Sequence, residues 1–502
     1  MLNFINKLKK MKKLIVIISV LVLGTTVMAQ HDLQFITMNR AVQSYYINPA
    51  AAADSPYGGH VSGILVPIIG QLPPSMYIHV QNSAFNWSNI FHYGKGKKSG
   101  DGPLYLDIDN FMSSFNKAKS DQIRFSTHID LFDLGFRGKS GIFWTVNLTE
   151  KINFAAALPY DLCGLILDGN GPYMRENKAV DMTKLGLDFT VYTEFGVGAG
   201  FKLGDKVNVG IRGKFLLGHA NVGTDIKKLT MMTDNENYNL TFDADATARM
   251  SLPLILAESS VFSKDSVNAV LDTVNMKDAK FYLKHAFGNY GGAADIGISY
   301  KPIEQLNVFL SVKDLGAIRW NNNSQQIQSK GKFVFEGVLV KPLESDTATF
   351  EDLIKEIPKR LADTLLTKFE PEFMDAKAYT TMLPTTFYVG AEYILNSKLQ
   401  VGALYRGEIF KKNYAQSATV YLNAPLTSWV SLHASYTIAN HTFDNVGAGL
   451  TLRGGPLLWY FACDNVLGAV LPYKTRMTNI RMGLNFIFDY KQVNNRPRFK
   501  TY

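Results

Sequence analysis

Between Leu187 and Leu203 the chain alternates without a break for seventeen residues. One parity reads Leu187, Phe189, Val191, Thr193, Phe195, Val197, Ala199, Phe201, Leu203, and the other Asp188, Thr190, Tyr192, Glu194, Gly196, Gly198, Gly200, Lys202. Successive side chains of a strand point to opposite faces, so this is one long two-faced strand. Gly204-Asp205 follows as a tight turn, and alternation resumes with Val207, Val209, Ile211, Phe215 and Leu217 against Asn208, Gly210, Arg212 and Lys214. Further strands are expected at 290–300, 305–313, 386–395, 398–410, 414–423, 429–439, 443–453, 456–464 and 476–488, with earlier ones near 60–66, 76–81, 123–136, 140–149 and 152–158.

Such alternation suits a soluble sandwich or barrel with an apolar core, and equally a membrane barrel with an apolar exterior and a polar lumen. Length separates the two. Globular strands run about five or six residues, whereas a tilted strand needs about ten to cross a membrane. The fold class expected is all-β: a single antiparallel transmembrane β-barrel of about fourteen strands, with sixteen the alternative. Trp144, Tyr393, Trp429, Trp459, Tyr460 and Tyr490 fall at apparent strand ends, as an interfacial girdle requires. Glu194, Lys202, Arg212, Lys214, Arg406, Glu408 and Arg481 share the polar parity and are expected to meet in the lumen. Phe309, Trp429 and Tyr192 on that parity speak against a general porin.

The N-terminus points to a compartment. Residues 1–29 combine Lys7, Lys9, Lys10, Lys12 and Lys13 with an apolar run from Leu14 to Val27, and Val27-Met28-Ala29 precedes Gln30. This is the pattern of a cleaved signal peptide, and its apolar run is too short for a membrane-spanning helix. Met11 would serve as a start equally well. The formal charge is +9, but without those five lysines the balance is +4, weak grounds for a nucleic-acid partner. Cys163 and Cys463 are the two cysteines, which excludes a disulfide framework and a cysteine metal cluster. The expected location is the outer membrane of a Gram-negative bacterium, with lipid and other outer-membrane or surface proteins as partners.

The expected division is a signal peptide over 1–29, a lumen-associated segment over 30–58, the barrel over 59–490 and a tail over 491–502. Short turns on one side would be periplasmic, which places the inserts 218–289 and 314–385 outside. The second insert carries a capping-box-like start at Thr349 and an apolar stripe of Phe350, Leu353, Ile354, Ile357, Leu361 and Leu365 at helical spacing. It is read as an amphipathic external helix with a contact face. Val267, Val270, Leu271 and Val274 suggest a second helix, while 225–232 and 237–247 alternate enough to extend a hairpin.

No motif supports an enzyme, and no cofactor or metal is indicated. The glycines of Gly196-Val197-Gly198-Ala199-Gly200 lie inside a strand, and Gly138-Lys139-Ser140 has Asp133 where a phosphate loop needs glycine. His433 and Ser435 stand two apart, but they share the lumen parity while Leu432, Ala434 and Tyr436 face lipid.

Asn48-Pro49-Ala50, DLGFRGK at Asp133–Lys139, GNYGGAADIGISYK at Gly288–Lys301 and KDLGAIRW at Lys313–Trp320 resemble a family of outer-membrane barrels of unassigned function. That family is similar to the FadL-like long-chain fatty-acid transporters and to the PorV and PorP type barrels of type IX secretion. The resemblance implies that Asn48, Pro49 and Ala50 belong to a lumen-associated stretch. Two functions follow as expectations: an accessory partner-binding subunit of an outer-membrane secretion or assembly machine, which is preferred, and a FadL-like diffusion channel for hydrophobic small molecules as the alternative.

Overall fold

The computed structural model describes residues 41–64, 74–83, 85–93, 104–115, 121–253, 279–336, 372–375, 377–396, 398–410, 413–439, 442–471 and 474–489, together with Phe35 and Met38. The predicted helix with Phe350, Leu353, Ile354, Ile357, Leu361 and Leu365, the candidate helix at 267–274, the signal peptide and Tyr490 lie outside these residues.

Fourteen antiparallel strands close into a barrel. The first, β1, comes in two pieces, Gly59–Ser62 and Met76–Asn82. Then follow β2 (Asp121–Arg137), β3 (Phe143–Leu158), β4 (Gly186–Leu203), β5 (Val207–Thr233), β6 (Tyr290–Ile303) and β7 (Leu306–Trp320). The rest are β8 (Thr385–Asn396), β9 (Leu399–Phe410), β10 (Asn413–Ala424), β11 (Val430–Ala439), β12 (Thr442–Gly454), β13 (Leu457–Cys463) and β14 (Met477–Phe488). Each pairs with its neighbour in sequence, and both pieces of β1 pair with β2 on one side and β14 on the other. That seam leaves the ring without a free edge, the arrangement hydrocarbon demands because it offers backbone groups no partners.

The strand number agrees with the expectation, but its membership differs. The segments 140–149 and 152–158 are one strand, because Lys151 continues the inner face of β3 and pairs with Tyr192. The two strands expected at 60–66 and 76–81 are pieces of the one broken strand β1, which closes the ring.

The outer surface is apolar. Phe195, Val197, Ile211, Phe215, Ile296, Ile298, Leu310, Val389, Val420, Leu422, Leu432 and Val446 are all exposed there, an arrangement that fits lipid and not water. Trp144, Tyr393 and Trp459 are exposed as well. Two aromatic assignments change. Trp429 is 57% exposed just ahead of β11 and does not fill the lumen, whereas Tyr460 is fully buried on the inner face of β13. Trp429 stands one residue before its strand begins, where parity loses its meaning, whereas Tyr460 is mid-strand in β13 and follows the inward parity of that strand.

Short turns lie on one side of the ring, among them 204–206, where Gly204 takes φ +66, a conformation costly for any other residue. Long connections lie on the other. There β5 runs on past the ring, and Leu240–Ser251 pairs with its upper half. Ser324–Phe335 pairs with that strand in turn, and Glu372–Asp375 adds a short edge. The alternation at 225–232 and 237–247 therefore extends a hairpin, whose inner face packs Met231, Phe242 and Phe335 with Tyr173, Val180 and Met182.

Candidate functional site

The lumen is filled from the N-terminal side. Two short 3-10 turns, Val42–Tyr46 and Pro49–Asp54, lie inside the barrel ahead of β1. Asn48 caps the second, its Oδ1 accepting from the Ala50 N–H at 3.1 Å, and Pro49 begins it with an already fixed φ. Asn48, Pro49 and Ala50 lie against strand backbone: a Cβ on Gly210 of β5 would collide with Pro49 and Ala50, and one on Gly297 of β6 would collide with Asn48. Glycine at these two wall positions lets the plug approach.

Side chains fasten the segment along its length. The Tyr45 hydroxyl donates to Asp133 of β2, whose other oxygen is 3.1 Å from His60 Nε2. Gln43 donates to Asn485 of β14 at 2.5 Å, and Ser311 of β7 donates to the Ile47 carbonyl at 2.9 Å. At the short-turn end Asp54 pairs with Lys202 at 2.8 Å and with Lys301, and it accepts from Asn208 at 2.6 Å. Burial opposes ionisation of Asp54, yet Lys301 and Lys202 hold its carboxyl at about 2. Further in, Phe35, Met38 and Ile47 form an apolar cluster with Phe309, Tyr388, Leu404 and Tyr460. Arg481 lies over the Phe35 ring at 4.2 Å.

Above the plug the lumen charges divide into two groups. Glu194 of β4 meets Lys151 at 2.5 Å, Arg212 at 3.0 Å and Lys214 at 3.6 Å. Asp295 of β6 takes Lys214 at 2.7 Å and Arg212 at 3.2 Å, and Asp314 of β7 takes Lys214 at 2.5 Å. Asp314 sits at a bulge with φ +59, from where its N–H donates to Asp295 at 2.7 Å. Across the barrel Glu408 of β9 pairs with Arg124 at 2.6 Å and with Arg406. Of the seven charges expected in the lumen, Glu194, Arg212 and Lys214 thus share one network and Arg406 and Glu408 another. Lys202 is at the rim on Asp54, and Arg481 is among the plug aromatics.

Sequence parity did not supply Arg124, Lys151, Asp295 or Asp314. Lys151 was hidden by dividing β3, and Asp314 by its bulge. Asp295 does alternate with Ala294 and Ile296, a signal that could have found it. His433 and Ser435 are buried on the inner face, away from lipid.

A cavity of about 590 Å3 stands on this charged floor. It is lined by the long-connection ends of β3, β4, β5, β8 and β9, so it opens on that side. Phe154, Met382, Leu383, Ile409 and Phe410 give it apolar wall, and Arg124, Lys151, Lys313 and Arg406 line its polar part. The size is that of a small-molecule site.

Residues 62–464 match a family described as a family of unknown function (DUF5723). No curated protein matches the chain. Among solved structures, the Ralstonia pickettii toluene transporter TbuX is similar at 9% identity and a TM-score of 0.38, with 93% of this chain and 95% of that one covered. A Pseudomonas aeruginosa FadL homologue is similar at 9% identity and 0.39, covering 93% and 100%. For the P. putida toluene transporter TodX the values are 8% and 0.36, covering 89% and 92%. Likeness at this level transfers no activity or solute, and a likeness to the PorV and PorP barrels is not shown.

Proposed function

The chain belongs to the family of unknown function DUF5723, and we propose that it is a FadL-like diffusion channel of the outer membrane, closed at rest, for small molecules with a substantial apolar part. One observation carries this reading: a small-molecule-sized cavity opens at the long-connection mouth above a lumen that plug and ion pairs fill. A general porin would need a continuous aqueous lumen. The accessory-subunit reading rests on the length of the external inserts and on the resemblance to PorV-type barrels, a likeness that is not shown, so it ranks second.

Purified protein in planar bilayers and in liposomes loaded with a solute trap provides the test. The channel predicts a small conductance and saturable uptake of amphipathic solutes. A large, steady, non-saturating conductance would favour a porin, and absence of uptake together with a stoichiometric co-purifying protein would favour the accessory subunit.

A further inference from the structure

We propose that the mouth cavity recognises a compact organic anion, whose oxyanion is held by Arg406; this rests on reading the barrel as a solute channel and names the class of solute. Among the described residues, Glu408 is the carboxylate shared by two guanidiniums, those of Arg124 and Arg406. The pair leaves that group of three with one positive charge in excess. Arg406 is 1% exposed and lines the cavity, yet its Nε and Nη1 have no hydrogen-bond acceptor. Buried N–H donors without acceptors are costly, and more so on a charged group. An oxyanion entering the cavity would supply the acceptors and the balancing charge at once.

The walls decide what the anion is attached to. Besides Arg406 the lining holds the cations Arg124, Lys151, Arg249 and Lys313 against the carboxylates Asp188, Asp225, Asp314 and Glu408, and Tyr192 and Tyr379 present rings. Ser126, Asn153 and Thr386 add hydroxyl and amide groups around the same space. A ring-shaped body with a carboxylate, sulfate or phosphate fits this mixture, whereas a bare hydrocarbon would leave the polar groups unmet.

Calorimetric titration of the full chain in detergent, with pairs of compounds that differ only in the anionic group, reads this directly. Suitable probes are 2-naphthoate against 2-naphthamide, and glucuronate against glucose. The anion of at least one pair should bind about tenfold tighter or better, as hydrogen bonds to a charged donor allow. Arg406→Gln should bring that ratio to about one, with Arg406→Lys retaining part of it and heat-modified gel migration reporting that each variant is folded. Equal affinity within both pairs overturns the inference on the unaltered protein alone, and so does a preference that survives in folded Arg406→Gln. Liposome uptake separates the two readings. Anion-selective binding without entry of any probe leaves this site standing and removes the channel; unselective entry of both members of a pair does the reverse.

Discussion

At Gly210 a single methyl group is enough to test the plug. Gly210→Ala puts a Cβ onto the Pro49 carbonyl, with no flexible side chain to give way, and overpacking of this kind costs about 1–3 kcal/mol. We predict a barrel that still resists heat in detergent but shows raised single-channel conductance; unchanged conductance would mean that the Pro49–Asp54 turn does not limit passage. Asp295→Asn acts on the ion pairs instead. It strands Arg212 and Lys214 with less countercharge in a water-poor setting, and loss of one partner there costs about 3 kcal/mol or more. A lowered urea midpoint for unfolding is the expected readout, with no change expected if the network is hydrated. How legible these residues were follows from distance along the chain. Alternation put Glu194, Arg212 and Lys214 on one parity because they share two adjacent strands. Their partners Asp295 and Asp314 are 83 and 100 positions away from Arg212 and Lys214, beyond any local pattern.

Among the elements, the Asp54 clasp makes a prediction about pH. Its folded pKa of about 2 is below the ordinary aspartate value, so the carboxylate contributes to holding the plug throughout the range above about 4. That contribution disappears only as pH falls through the folded value. Protease resistance of the plug should therefore stay level from pH 8 to about 4 and weaken towards 2, while Asp54→Asn should be weakened at every pH. A transition near pH 6 would contradict the clasp. Long strands were readable because seventeen alternating residues admit one interpretation, as β4 shows. Short or interrupted ones were not: β1 owes its place to partners on both sides, and no property of four residues such as Gly59–Ser62 could announce a seam.

For the molecule as a whole, closure predicts that unheated protein migrates compactly in detergent gels and shifts on boiling, whereas two separate β domains would not. All-β class and lipid-facing parity were open to the sequence since both rest on period two. The filling of the lumen was not, because it depends on which side chains fourteen strands bring face to face. The ring's seam joins the first strand to the last, and the segment wedged inside it precedes both. Strands β2 to β14 can pair in order along the chain, but β1 must wait for β14 before the circle is complete. Assembly thus faces a question of sequence in time: residues 41–57 must settle on Gly210 and Gly297 while the wall is still an open sheet, or else be threaded into a finished cylinder. The first route needs no threading, and it makes the plug a template on which the curved sheet can close.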